Sequence, residues 1–129
     1  MRYGWTKNIL HWAGIQQSIL DICATIPVQF VIATGIVAME GDGPLNGTPR
    51  HLGKIVLSND PVGPDATCAR LMGFEQNHIP HIREASRFLG NSSTALINQV
   101  GENLMPVDAP FQVASNWDHL HVLDSPLIE

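Results

Sequence analysis

Basic residues are scarce in this sequence. Its 129 residues include only seven Lys and Arg against twelve Asp and Glu, which gives a formal net charge of −5 at pH 7. Proteins bind nucleic acid through a basic face that neutralises phosphates, so the shortage of cations argues against a nucleic-acid partner. The same shortage argues against docking on an anionic membrane surface. We therefore expect neither nucleic acid nor membrane among the partners.

Cysteine is nearly absent, with Cys23 and Cys68 alone. This pair matches no zinc or iron–sulfur spacing, and we predict two buried thiols, with one disulfide as the alternative. The N-terminus also lacks the charged-then-apolar pattern of a secretory signal. The apolar stretch 19–39 is interrupted by Asp21 and Pro27, so it is too broken for a membrane-spanning helix. These features together predict a cytoplasmic protein.

The length fits a single domain, and a hydrophobic content of 44% is enough for a core without disulfide or metal staples. Apolar periodicity predicts an α/β fold with a small mixed or mostly parallel sheet, flanked by about three helices. We divide the chain into an irregular aromatic segment at 1–13, a core at 14–102 and an extended tail at 103–129. The predicted elements are helices at 14–24, 64–72 and 80–89 and strands at 28–39, 53–57 and 96–100. The first strand is so continuously apolar that we expect it to be covered on both faces.

The loop from Met39 to Pro49 is the most unusual stretch, because it gathers three glycines, two prolines and two carboxylates. An ordinary connection needs only a few turn residues, and clustered glycines indicate tight backbone or close approach to another group. We predict a ligand site in this loop. Its expected contacts are Gly41, Gly43, Asn46 and Gly47, and the backbone N–H groups of the loop would also suit an anion. The loop matches neither the dinucleotide fingerprint nor a Walker phosphate loop.

Four carboxylates follow the two predicted strands: Glu40, Asp42, Asp60 and Asp65. If the strands run parallel, their carboxyl ends meet at one sheet edge, where ligands of open α/β sheets bind. Clustered carboxylate oxygens suit a hard divalent cation such as Mg²⁺ or Ca²⁺, which is the cofactor that this interpretation implies. A structural role is the alternative, because Asp60 before Pro61 favours a turn and Asp65 suits the first turn of a helix.

Histidine supplies the candidates for acid–base catalysis. His51 follows the glycine-rich loop and is the residue type of a general base near neutral pH. Lys7 and His11 are further candidates if the N-terminal segment folds over that loop. The other four histidines have spacings that bind metal only with additional ligands, so solvated side chains are the simpler interpretation. No nucleophile elbow or catalytic triad pattern is present.

Several segments resemble the domain of unknown function 362 family. They are Gly35–Pro44 with Gly47–Pro49, Asp60–Val62 with Asp65–Gly73, Val100–Glu102, and the pair Lys7-Asn8, which is similar to the family's lysine–asparagine segment. The resemblance implies an α/β protein from a mostly uncharacterised group, many of whose members carry iron–sulfur clusters. This chain has no cysteine cluster, so the iron–sulfur cofactor is not carried over to it. With Thr34 in place of the usual Asp and without the family's N-terminal portion, it resembles a shortened or partial member.

The sequence supports two functions from different classes and leaves open whether the chain is an enzyme. The first is a ligand- or divalent-metal-binding domain of a redox-associated or metabolic enzyme, with its site at the glycine-rich loop 40–49. The alternative is a non-catalytic binding or interaction module, or a fragment, that works only with a partner domain. Trp5 and Trp12 in the first segment need cover from the body or from a partner. The expected partners are accordingly a small molecule, a missing partner domain or a second copy of the chain.

Overall fold

A computed structural model describes residues 3–104, 109–114 and 117 of the chain. In chain order its elements are α1 (Tyr3–Ala13), α2 (Ile15–Thr25), β1 (Val31–Asp42), β2 (Asn46–Ser58), α3 (Gly63–Leu71) and α4 (Pro80–Ala85), with 3₁₀ turns at Gln76–His78 and Thr94–Leu96. Within these residues, four α-helices accompany a two-stranded sheet, so the predicted α/β class is confirmed.

The two strands form an antiparallel hairpin. The parallel strand direction that the sequence favoured was therefore wrong. Cα partners run from Val31 opposite Ser58 to Asp42 opposite Asn46, so the glycine-rich loop is the turn that joins the strands. The physical reason is the length of the connection. Only residues 43–45 separate β1 from β2, whereas a parallel crossover needs about a dozen residues or more.

Among the described residues, the core packs on one face of the hairpin. Ala38 of β1 and Leu52 of β2 contact the buried cluster, while alternate side chains on the opposite face are exposed. The part of the chain that the structure describes therefore does not provide the expected cover on both faces of β1. The register also slips between Gly35 and Val37, where two residues of β2, Leu52 and Gly53, lie opposite the single residue Ile36 of β1 in a β-bulge.

The N-terminal segment, predicted to be irregular, instead forms α1. No proline interrupts this segment, and α1 packs along α2, where the Ser18 hydroxyl donates to the Leu10 carbonyl oxygen at 3.3 Å. Gly14, with φ of 103°, turns the chain between the two helices. The predicted helix at 14–24 agrees with α2 within one residue at each end. Among the helices that the structure describes, none combines the length and apolarity needed to cross a membrane.

The core lies between α3 and α4. Ala66 and Ala69 of α3 are buried in one cluster with Ile82 and Ala85 of α4, and Leu20 of α2 belongs to the same cluster. Gly73 follows α3 with φ of 82°, the left-handed conformation expected at that position from the sequence.

Two predicted elements on the C-terminal side differ in the structure. α4 ends at Ala85 rather than near residue 89, because the N–H groups of Arg87 and Phe88 bond three residues back, to the carbonyl oxygens of Glu84 and Ala85. The segment 96–100 does not form the predicted strand. A strand needs a neighbour for its N–H and C=O groups, and no described backbone group bonds to this segment across a strand pair.

Part of the predicted tail belongs to the core. Phe111 is only 1% exposed, and its N–H donates to the Met72 carbonyl oxygen. The N–H of Gly41 donates to the Gln112 carbonyl oxygen, which ties residues 109–114, called the strap below, to the hairpin. A single aromatic residue among prolines and polar residues has no periodicity that would reveal its burial. Residues 105–108, 115, 116 and 118–129 of the predicted tail lie outside the described residues.

Candidate interaction surface

The predicted ligand-binding residues lie together at the tip of the hairpin. Gly41 is the Cα partner of Gly47, and Asn46 begins β2 directly after the turn. A Cβ added to Gly43 would lie 2.8 Å from the Sδ of Met39, and one added to Gly47 would clash with the same side chain. The glycines therefore make room for Met39 as well as for a tight turn. Their role toward a ligand stays a prediction.

Glu40, a predicted metal ligand, forms an ion pair with Arg50. The Arg50 Nη1 donates to the Glu40 Oε2 at 2.8 Å, and the Gln112 N–H donates to the same oxygen at 3.2 Å. The Arg50 hydrogen bond, followed by the Gln112 N–H, lowers the pKa of Glu40 because both stabilise the charged form. The carboxylate therefore has its charge partners within the protein.

Arg50 also fastens the strap to the hairpin, a role that the sequence pattern did not single out. Its Nη1 donates to the Pro110 carbonyl oxygen at 3.0 Å, and its Nη2 donates to the Ala109 carbonyl oxygen at 2.6 Å. The guanidinium also lies over the ring of Phe111. A planar cation with several donors suits this combination of hydrogen bonds and stacking. Strand alternation was the one sequence signal that could have identified this role. It places Arg50 on the same face of the hairpin as Glu40, but only once the pairing register is known.

Asp60, another predicted metal ligand, organises the entry into α3. Its Oδ1 accepts hydrogen bonds from the N–H groups of Val62 at 2.7 Å and Gly63 at 2.8 Å. Its Oδ2 accepts from the Asn91 N–H at 3.0 Å. A Cβ on Gly90 would lie 2.9 Å from the Asp60 carboxyl carbon, so the close approach of this loop requires glycine. Asp60 therefore accepts hydrogen bonds from three backbone N–H groups. This is a structural role of the kind that the sequence analysis named as the alternative to metal binding.

The four predicted metal ligands do not converge. Glu40 and Asp42 lie at the tip of the hairpin, whereas Asp60 and Asp65 follow its opposite end. The ends are separated by about nine residues of strand, or roughly 30 Å at about 3.3 Å per residue. Antiparallel pairing separates the carboxyl ends that a parallel sheet would bring together. In the part of the chain that the structure describes, no group of three or more His, Cys, Asp or Glu side chains is placed to hold a metal ion.

Asp65 lines a small cavity of about 20 Å³ together with Cys23 and His81. Burial raises the pKa of Asp65 and lowers that of His81, and the charge of each residue opposes the shift of the other. The backbone N–H of His81 donates to the Gln16 Oε1, which the His81 ring Nδ1 also contacts. Cys23 and Cys68 are both free thiols. These contacts join α2, α3 and α4. The cavity between them is large enough for about one water molecule.

The three catalytic candidates lie on two parts of the fold. His51 is exposed on β2, opposite Val37 of β1. His11 is exposed on α1, whose main contacts are with α2. The side chain of Lys7 lies outside the described part of the structure. A catalytic role for these three residues stays a prediction.

The face of the hairpin that points away from the core is apolar. We call it the outer face and define it by five side chains that are between 51% and 68% exposed: Ile32, Val37, Met39, Ile55 and Leu57. The register places Ile32 directly opposite Leu57, and strand alternation puts Ile55 on the same side as Leu57. Val37 and Met39 lie beyond the β-bulge, where the exposed positions of β1 change from even to odd numbers. Exposed apolar side chains gathered on one hairpin in this way are typical of a docking site.

A groove of about 750 Å³ runs along the edge of β2 that does not pair with β1. Consecutive residues from Gly53 to Asp60 line it, so this wall is the backbone edge of the strand as well as one of its faces. α3 contributes Arg70, and residues between 94 and 104 form the far wall. The Lys54 Nζ and the Glu102 Oε1, 2.6 Å apart, link the two walls.

Two comparisons relate the chain to known proteins. The family model described as "Domain of unknown function (DUF362)" matches residues 2–70, more than half of the chain. A thylakoid-associated protein of Synechocystis is 29% identical over 108 residues, which cover 83% of this chain and 32% of the relative. The chain therefore spans about a third of the length of that relative. No solved structure matches. Both strands and most of α3 lie inside the family match, whereas the strap and the far wall of the groove lie outside it.

Proposed function

The chain belongs to the DUF362 family, and we propose that it acts as a non-catalytic interaction module whose outer face packs on a partner domain. The observation that carries this proposal is the outer face itself, on which five large apolar side chains are each more than half exposed. Removing apolar surface from water contributes about 25 cal/mol per Å². A partner that covers this strip therefore gains free energy that the hairpin alone does not obtain.

The architecture of the hairpin supports the same proposal. Two strands alone are only marginally stable, and protein domains usually pack a sheet between other layers of structure. The inner face has its layer, because Ala38 and Leu52 contact the core and the strap holds the tip. A second layer on the outer face would complete the sandwich, and the partner domain is proposed to supply it.

A partner domain is preferred to a second copy of this chain as the occupant of the outer face. In the Synechocystis relative, about two thirds of the protein lie outside the region that this chain matches. That relative therefore contains a large body of polypeptide that adjoins the matched region and can pack on it. A partner domain of the same type, on the same or another polypeptide, is the corresponding occupant in this protein.

Ligand or metal binding by a redox-associated or metabolic enzyme is the competing function, and it has less support. Glu40 is paired with Arg50, and Met39 fills the space beside Gly43 and Gly47 at the predicted site. A cytoplasmic location is part of the proposal. The association with thylakoids is a description of the relative and is not transferred to this chain.

The decisive experiment compares one substitution in two contexts. This chain replaces the matched region of the Synechocystis relative, and the free energy of unfolding is measured in urea for the chimera and for the chain alone. We expect Ile55→Lys to change the stability of the chain alone by no more than about 0.5 kcal/mol, because the side chain is exposed. In the chimera the same change should cost about 2 kcal/mol or more, because it buries a charge against the partner domain.

Phe88→Lys is the matched control, because Phe88 is 63% exposed but does not belong to the hairpin. It should have a small effect in both contexts. If the chimera does not fold, Lys at the position aligned with Ile55 in the full-length relative provides the same comparison. Equal effects of Ile55→Lys with and without the partner body would contradict the proposal. So would a chain that sediments alone as a dimer and becomes monomeric with Ile55→Lys, since the occupant would then be a second copy.

A further inference from the structure

We infer that the groove along β2 receives an extended strand of the partner domain, which pairs its backbone with residues 53–58 and adds a third strand to the sheet. The inference rests on the proposed function, because it names the segment by which the partner domain is held. It concerns the backbone edge of β2, next to α3 and the far wall, a surface that adjoins the outer face and shares Ile55 and Leu57 with it.

The unpaired edge of β2 is the first observation. In an antiparallel pair, every second residue directs its N–H and C=O away from the neighbouring strand. β1 occupies one edge of β2, and no backbone hydrogen bond from a described residue reaches the other edge. An unpaired edge of this length is a template for another strand, and native proteins usually cover it.

The shape of the groove is the second observation. Its lining is elongated, with consecutive residues of Gly53–Asp60 on one side and residues between 94 and 104 on the other. Residues 53–58 span about 20 Å at about 3.3 Å per residue, which is the length of a typical strand. A groove with a strand edge along its length fits an extended polypeptide better than a compact metabolite.

The side chains along the groove define the chemistry of the incoming strand. Ile55 and Leu57 point to the outer face, whereas Lys54 and Val56 point to the inner side. A strand paired with β2 continues this alternation, with apolar side chains beside Ile55 and polar side chains toward Lys54. The present partner of Lys54 is Glu102, whose side chain is 73% exposed, so a carboxylate of the incoming strand can replace it readily.

Amide hydrogen exchange of the isotopically labelled chain, read residue by residue by NMR, tests the inference. The probes are overlapping twelve-residue synthetic peptides that cover the part of the Synechocystis relative outside the matched region. Main-chain hydrogen bonds provide most of the affinity in strand addition, so a peptide from a distant relative is a suitable probe. In the chain alone, protection should alternate along residues 53–58. With the pairing peptide at saturation, the amides that were unprotected should exchange at about a tenth of their former rate or more slowly, so that protection becomes continuous.

The control is the same peptide with proline at alternate positions, which removes backbone donors and should leave the alternating pattern unchanged. The chimera provides a second measurement, in which the whole of 53–58 should be protected without added peptide. Alternating exchange that persists with every peptide and in the chimera would overturn the inference. If Ile55→Lys still destabilises the chimera selectively while exchange alternates, the proposed function stands and only the strand insertion fails.

Discussion

The guanidinium of Arg50 lies over the ring of Phe111, with 4.4 Å between the guanidinium carbon and the ring centroid. This contact joins the second strand of the hairpin to a strap that has no regular secondary structure. Phe111 is at the same time part of the buried core cluster. The position of the hairpin relative to the core is therefore set in part by one cation and one ring.

Arg50→Lys should destabilise the fold although it keeps the positive charge. Lysine lacks the planar fork that bonds Glu40, Pro110 and Ala109 together, and it stacks less well on a ring. We expect the free energy of unfolding to fall by about 1–3 kcal/mol in urea denaturation. Arg87→Lys, at an exposed pair with Glu84, should change it by less than about 0.5 kcal/mol. Equal losses in the two variants would show that Arg50 acts as a charge alone.

Phe111→Ala should be among the most damaging single substitutions. The ring is almost fully buried, and its removal leaves a cavity in the core cluster that also contains Ala69 and Ile82. Changes of this kind cost about 3–5 kcal/mol, a large fraction of the roughly 5–15 kcal/mol that stabilises a domain. Thermal unfolding followed by circular dichroism measures the effect. Phe88→Ala removes the same ring from an exposed position and should stay within about 0.5 kcal/mol of the wild type.

Asp60→Ala should cost about 1–3 kcal/mol, because the N–H groups of Val62, Gly63 and Asn91 lose their acceptor. Asp60→Asn should cost less, because the amide keeps one acceptor oxygen. Differential scanning calorimetry with and without added Mg²⁺ or Ca²⁺ separates this structural role from metal binding. We expect neither cation to raise the Tm of the wild type, and a rise that Asp60→Asn abolishes would restore the metal-site hypothesis.

The Glu40–Arg50 pair should make stability depend on pH in the acid range. Arg50, followed by the Gln112 N–H, holds the pKa of Glu40 below its ordinary value. A folded-state pKa below the unfolded one stabilises the fold above the unfolded pKa, and this contribution disappears as the pH falls through the folded pKa. The Tm difference between wild type and Glu40→Gln should therefore be largest near pH 7 and shrink below about pH 4.

Glu84→Gln is the control for this titration. Its pairs with Arg83 and Arg87 are exposed, so the Tm should change little at any pH. A Tm difference for Glu40→Gln that remains constant from neutral to acid pH would contradict the role assigned to the pair.

Local patterns in the sequence were sufficient for several elements. The apolar stripe of α2 predicted its position within one residue, and Gly73 was correctly placed just beyond the end of α3. Segments that resembled the DUF362 family lie largely within the residues that the family model matches. These features depend on residues that are close together in the chain, so periodicity and turn chemistry reveal them.

Strand direction and the position of the site depended on the tertiary structure. The sequence placed the second strand at 53–57, whereas β2 begins at Asn46, because pairing with β1 extends it through polar and glycine residues that have weak strand propensity. That extension turned the glycine-rich loop into a hairpin turn and separated Glu40 from Asp60.

By itself, the sequence determined the fold class, the helices with clear periodicity and the family of this protein. Only the tertiary structure decided which carboxylates are partners of backbone or arginine groups, that Phe111 completes the core, and which face of the hairpin is open. The reason is that pairing register and contacts between distant segments assign each strand residue to a face, and a shift of one position would reverse every assignment.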